Sequence, residues 1–327
     1  MFILVGDFAG AMPWCQFQKR YRCFEIIALG FALKRRLSYL AVPIDLSFRY
    51  TALPKGAKMT EKSAEIVTPR PAATVMLIDD RPTLQVYMMK RSSRTVFGGM
   101  WVFPGGTVDP DDRLDLYETH CQKSDREASQ RLEIDSGGLA YYVAAIRETF
   151  EEAGILLALT GKPAESLSML APDDQTRYHD YRGLVHRGEL PLSQIIETED
   201  LTLDTAVIHY VARWITPTVV PKRFDTRFFL ARMPQNQHPI HDDKELVNSG
   251  WFEPADLIER AAAGDIAVMA PTLRMLESLL PFDNADDAMQ AAAISRDAIR
   301  VPFSDQKDPS IPSAVPDFEP GWVYLRP

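Results

Sequence analysis

The chain has 327 residues, of which 46% are hydrophobic and 25% charged, and a formal net charge of −9. That is an ordinary globular composition, long enough for one elaborated domain or two modest ones. No stretch offers the roughly 18 consecutive apolar residues of a membrane-spanning helix, so no membrane partner is expected. Three cysteines (Cys15, Cys23 and Cys121) are too few and too scattered for a disulfide framework or a zinc site, and reduced thiols in a cytoplasmic protein are expected.

Residues 1–58 differ from the rest. They hold nine lysines and arginines against three acids, a net of +6, which leaves a net of −15 on the remainder. An acidic body argues against nucleic acid as a partner. Phe24 to Leu33 is apolar between basic clusters, which suits a targeting segment, a membrane-surface helix, or an extension foreign to the natural protein with Met59 as its start. The last of these is the reading favoured here.

From residue 72 the pattern becomes regular. Ala73–Ile78 and Leu84–Lys90 read as a hairpin, and Trp101–Phe103 as a further strand ended by Pro104, Gly105 and Gly106. A polar stretch, 109–138, precedes a helix predicted over Leu139–Glu152 with Gly154 as its stop signal. Ile155–Leu159 is a strand candidate. Residues 160–205 read as loop and helix, with helices at Asp174–Arg187 and Leu192–Thr198. Strands are expected at Ala206–Ile215, Arg227–Ala231 and Glu245–Phe252. Helices follow at Pro254–Ala263 and Pro271–Leu280, each with proline in its first turn. The proline-rich end reads as an extended tail, 301–327. The order implies α/β or α+β layers with a mixed sheet between helices, in a domain over 59–300 with insertions at about 107–138 and 160–205.

The chemistry is concentrated in "IRETFEEAGIL", residues 146–156. A helix advances about 100° per residue, so Glu148, Glu151 and Glu152 fall within an arc of about 100°. Like charges at these spacings repel, and Arg147 relieves only part of that. Hard divalent cations such as Mg²⁺ suit clustered carboxylates. A solvated acidic helix face would also carry such glutamates, but Tyr142, Val143, Ala145, Ile146 and Phe150 make this helix half apolar.

Arg147, Glu148, Glu151, Glu152, Gly154 and Ile155 resemble the core of the Nudix box, G-x5-E-x7-R-E-U-x-E-E-x-G-U with U a bulky apolar residue. Thr149 takes a position that is usually more apolar. "FPGG" (103–106) resembles the strand end and glycine turn that open the box. About 27 extra residues separate Gly106 from Arg147. The box's first glutamate therefore has no clear counterpart: counting from Gly106 gives Asp112, and counting back from Arg147 gives Leu139. The split box, with "KRSSRTVFGGMWVFPGG" (90–106), "ARWITP" (212–217) and "RFDTRFFLA" (223–231), is similar to Nudix proteins related to peroxisomal coenzyme A diphosphatases.

The resemblance implies a Nudix α/β/α sandwich. It further implies Mg²⁺ or Mn²⁺ held by Glu148, Glu151, Glu152 and the Gly106 carbonyl, with Arg147 orienting the carboxylates. Glu148, or Glu245 from another loop, would accept the proton, and Glu152 is counted with them and Arg147 among the catalytic residues. Arg91, Arg94 and Arg223 are candidates for binding substrate phosphates. The expected substrate is a small nucleotide-type molecule, coenzyme A or acyl-coenzyme A first. Rivals are NADH, ADP-ribose, sugar nucleotides or dinucleotides, and, in a different class, a nucleotide-binding module without turnover. A homodimer is left open.

Overall fold

In the computed structural model the chain divides into two units, Met1–Met59 and Thr60–Pro327. The structure describes residues 67–91, 98–161, 164–217, 222–239, 246–294, 299–301, 321–323 and 325, all in the second unit. The N-terminal extension and the candidates Arg94 and Glu245 lie outside the described residues.

Strand β1 (Arg70–Asp80) is a nearly continuous apolar run and is buried along most of its length, as a central strand covered on both faces requires. It turns into β2 (Leu84–Arg91). Short strands β3 (Met100–Val102) and β4 (Gly105–Thr107) follow, so the glycine turn is itself a strand. A 3₁₀ turn (Pro110–Arg113), α1 (Tyr117–His120) and α2 (Asp125–Leu132) occupy the polar stretch. Helix α2 begins at a Ser124–Glu127 capping box, which satisfies otherwise orphaned amides. Helix α3 (Leu139–Ala153) matches its predicted span and ends at Gly154, whose φ of 72° is the left-handed cap that glycine adopts without steric cost.

Beyond α3 come β5 (Ala158–Thr160), β6 (Glu165–Ser166), α4 (Pro172–His186), α5 (Leu192–Thr198) and β7 (Thr202–Leu203), across the stretch where the second insertion is expected. Its three strands form a small separate sheet. Strands β8 (His209–Ile215), β9 (Phe224–Arg232) and β10 (Leu246–Phe252) return to the main sheet. Helix α6 (Pro254–Ala263), β11 (Ala267–Val268), α7 (Ala270–Leu279), α8 (Ala285–Ile294), β12 (Ile299–Val301) and β13 (Gly321–Val323) complete the described elements. The proline-rich end thus contributes an ordered strand, β13, which pairs antiparallel with β8.

The main sheet is mixed. β1 runs parallel to β9 from Arg70↔Phe224 to Ile78↔Arg232. On its other edge β1 pairs with β2 near Asp80 and with β4 at Ala72–Thr74, both antiparallel. Ala73, Val75, Leu77, Tyr87, Met89, Phe229 and Ala231 belong to one core cluster with the apolar face of α3. Tyr142 of α3 packs against Phe229 with the rings tilted and their centroids 4.7 Å apart. The alternate residues Met76, Ile78 and Leu230 are equally buried, and α8 packs on β1, β8 and β9. The architecture is therefore a curled mixed sheet between helical layers, as the sequence implied. No helix among the described residues is long and apolar enough to cross a membrane.

Candidate active site

The pairing of β4 with β1 fixes the glycine turn beneath the C-terminal half of α3. The Gly105 amide donates to Glu152 Oε2 at 2.8 Å. A Cβ on Gly106 would stand 2.3 Å from Glu148 Oε1, so only glycine admits the carboxylate at this distance. Strand and helix thus meet through the residues whose spacing in the sequence had been broken by the first insertion.

Arg147 is buried at the centre of the arrangement, at 8% exposure. Its Nη1 donates to Glu148 Oε1 at 2.9 Å and to Glu151 Oε1 at 2.8 Å. Its Nη2 donates to the Thr107 carbonyl at 2.8 Å. Asp112 then receives Nε at 2.9 Å and Nη2 at 3.0 Å, a bidentate pair. Burial alone would lower the Arg147 pKa, but the hydrogen bonds it donates to Asp112 and the charge of Glu148 raise it instead, and the guanidinium stays charged.

Asp112 is 2% exposed and is itself held by the Asp109 amide, which donates to Oδ2 at 2.7 Å. Counting from Gly106 was therefore the informative count: Asp112 occupies that place, and Leu139 does not partner Arg147. The signal was present as G-x5 followed by a carboxylate. The shorter aspartate reaches because the 3₁₀ turn carries it to the helix. Thr149, the off-pattern residue, is fully buried and satisfies its hydroxyl by donating to the Ala145 carbonyl at 2.7 Å.

Charge is under-compensated at the glutamates. Burial raises Glu148 to about 7, and Glu151 and Asp112 add to the rise while Arg147 opposes it. Burial, and then the charge of Glu148, raise Glu152 to about 8. Glu151 is also raised, by burial first. Arg91, at the end of β2, acts on Glu152 in the lowering direction, and its Nε is buried without a hydrogen-bond partner. The structure therefore brings Arg91 towards the carboxylates. Arg223 is placed differently: it is 3% exposed and donates to the carbonyls of Thr216 at 2.9 Å and Val67 at 2.7 Å. These bonds tie the start of β9 to the end of β8 and to the segment before β1, and neither reaches α3.

A family model for the NUDT19 Nudix domain matches residues 117–279. The chain belongs to the Nudix superfamily. The match begins after the glycine turn, so the joining of Gly105, Gly106 and Asp112 to the Nudix helix rests on the geometry above. The acyl-coenzyme A diphosphatase NUDT19 of Xenopus laevis is 24% identical over 228 residues, 61% of this chain and 60% of that protein. Its Gallus gallus counterpart is 27% identical over 237 residues, 62% of this chain and 63% of that protein. The chain thus spans less than two thirds of the length of these curated relatives. The crystal structure of a NUDIX hydrolase from Alicyclobacillus acidocaldarius is 28% identical, with a TM-score of 0.58. It covers 71% of this chain and 100% of its own. That likeness extends to the sandwich as a whole, so the split Nudix box lies on the fold its family implies.

Among the described residues no three acidic, histidine or cysteine side chains already stand in a metal-ligating arrangement. The hydrogen bonds account for this: Arg147 holds one oxygen each of Glu148 and Glu151, and Gly105 holds one of Glu152. The donor set still fits a hard cation. Glu148 and Glu151 share the Arg147 guanidinium while Glu152 rests on the Gly105 amide, each keeping an oxygen outside these bonds, and burial first, then the neighbouring carboxylates, raises their pKa values.

Proposed function

We propose that this Nudix protein hydrolyses a diphosphate linkage in a nucleoside diphosphate joined to a second group. Coenzyme A or acyl-coenzyme A is the leading substrate, and the products would be a 4′-phosphopantetheine species and adenosine 3′,5′-bisphosphate. The observation carrying the reaction type is the meeting of Glu148 and Glu152 with the Gly105–Gly106 turn, beside Glu151, which the same buried Arg147 that bonds Glu148 holds in place. The substrate class is supported by similarity to relatives named acyl-coenzyme A diphosphatases.

Glu148, Glu151, Glu152 and the Gly106 carbonyl would hold Mg²⁺ or Mn²⁺. Such ions supply charge neutralisation on the diphosphate and acidify the attacking water. The chain's own groups do the rest. Arg147 keeps Glu148 and Glu151 turned to one side of the helix. Glu148 would stand next to the attacking water as its proton acceptor. The Gly105 amide fixes Glu152. Arg91 offers a cation beside the carboxylates for a substrate phosphate.

The test is a panel of coenzyme A, acyl-coenzyme A, NADH, ADP-ribose and dinucleotides with Mg²⁺. Release of adenosine 3′,5′-bisphosphate from the coenzyme A substrates at the highest kcat/KM is expected. Preference for NADH or a dinucleotide would overturn the substrate class, and no turnover of any member would overturn the activity.

The carboxylates also set a pH dependence. Their folded-state pKa values exceed the ordinary carboxylate range near 4.3, so the folded protein holds more protons than the unfolded chain. Metal-free stability should therefore fall as pH rises towards about 7 and about 8, where Glu148 and Glu152 ionise. Cations that bind the ionised form reverse the loss. The rise in melting temperature produced by Mn²⁺ should be larger at pH 8 than at pH 6, and a rise equal at both would contradict the ligand assignment.

A further inference from the structure

Helix α4 belongs to the second insertion, yet it reaches the last turn of the Nudix helix. Tyr178 and Val185 bury one face of α4 in the main core cluster. Arg182, between them on that face, is 5% exposed. Its Nε donates to the Glu151 carbonyl at 2.9 Å. That carbonyl needs an outside donor. Within a regular helix it would receive the amide of residue 155, but Ile155 instead donates to Thr149 as α3 closes on Gly154.

The guanidinium also acts on Tyr87, which in turn feels Glu152. Through its bond to the Glu151 carbonyl, Arg182 lies against the turn that carries both Glu151 and Glu152. Arg147 grips the carboxylates of Glu148 and Glu151, while Arg182 grips the backbone from which Glu151 projects.

We infer that Arg182 is a positioning residue for the cation-binding carboxylates, and that helix α4 of the second insertion is part of the active site's framework. The inference rests on the proposed metal site. It does not depend on the identity of the substrate. Partners one step removed from a metal commonly set affinity by 10- to 100-fold, because they fix where the ligands point. Direct charge acts the other way here: a guanidinium repels a divalent cation, so its removal would by Coulomb attraction alone tighten binding. The sign of the change therefore separates positioning from charge.

The experiment titrates the full chain with Mn²⁺ alone, by calorimetry without substrate, alongside melting curves in chelator. The unsubstituted protein is expected to bind. Arg182→Met should bind Mn²⁺ about 10-fold more weakly. Arg182→Lys, which keeps a donor on a long stem, should stay within about 3-fold, a rescue that general destabilisation would not produce. If Arg182→Met fails to fold, Arg182→Gln takes its place, since its shorter head cannot reach the Glu151 carbonyl, and about 10-fold weakening is again expected. Unchanged or tighter binding in the folded variant overturns the role of Arg182. Absence of Mn²⁺ binding to the unsubstituted protein overturns the metal site itself, and the inference with it.

Discussion

Glu152→Gln should remain folded and lose about 10³-fold in the rate of Mg²⁺-dependent product release. The amide oxygen of glutamine can still accept the Gly105 N–H that Glu152 Oε2 accepts at 2.8 Å, so the strand–helix junction persists. What disappears is one anionic ligand. Lewis-acid stabilisation of a phosphoryl transition state is worth several kcal/mol, and about 4 kcal/mol corresponds to three decades in rate. Stability should move the opposite way. Glu152 is raised to about 8 by burial and by Glu148, so its ionisation costs the folded state, and a neutral isostere avoids that cost. In chelator at pH 8 the variant should melt above the unsubstituted protein, with the gap narrowing steadily as pH falls towards the ordinary carboxylate range near 4.3. Turnover within a few-fold of normal would remove Glu152 from the metal site. A lowered melting temperature in chelator would instead show that the carboxylate is structurally paired.

The glutamate face was legible because helix periodicity is local: Glu148, Glu151 and Glu152 share a side whatever they pack against. Their partners were legible only in part. Gly105 and Gly106 announced a turn, but that the turn is a strand pairing with β1 depends on contacts about 30 residues away in the chain. The Asp112 contact spans the insertion, and no period or propensity links the ends of such a loop, whose length costs little to vary. Helix α2 carried a readable Ser124–Glu127 capping box within a stretch whose acidity suggested loop. β13 was hidden for the converse reason, since a three-residue strand among prolines is specified by the edge of β8 that it meets. Arg223 shows the limit for charge: a sequence does not tell whether an arginine faces a phosphate or, as here, two backbone carbonyls. Arg182 was invisible for the same reason, being one cation on a helix of nearly even polarity.

Asp112→Ala should be strongly destabilising while leaving Arg147 and all three glutamates in place. Asp112 is 2% exposed and forms both hydrogen bonds of a bidentate pair with Arg147. Removing one partner of a buried ion pair typically costs about 3–5 kcal/mol, because the surviving charge stays desolvated. Arg147 keeps Glu148, Glu151 and the Thr107 carbonyl, which places the expectation near the lower figure, at about 3 kcal/mol by chemical denaturation. The freed guanidinium should then turn more fully to Glu148 and Glu151 and compete with the cation for their oxygens. The Mg²⁺ concentration for half-maximal activity should rise by about 10-fold or more, within the range for residues that orient metal ligands. Asp112→Asn, which retains an acceptor without the charge, should fall between the two on both measures. If instead Asp112→Ala shifts stability but leaves the Mg²⁺ requirement untouched, the aspartate only pins the first insertion, and Arg147 orients the carboxylates without its help.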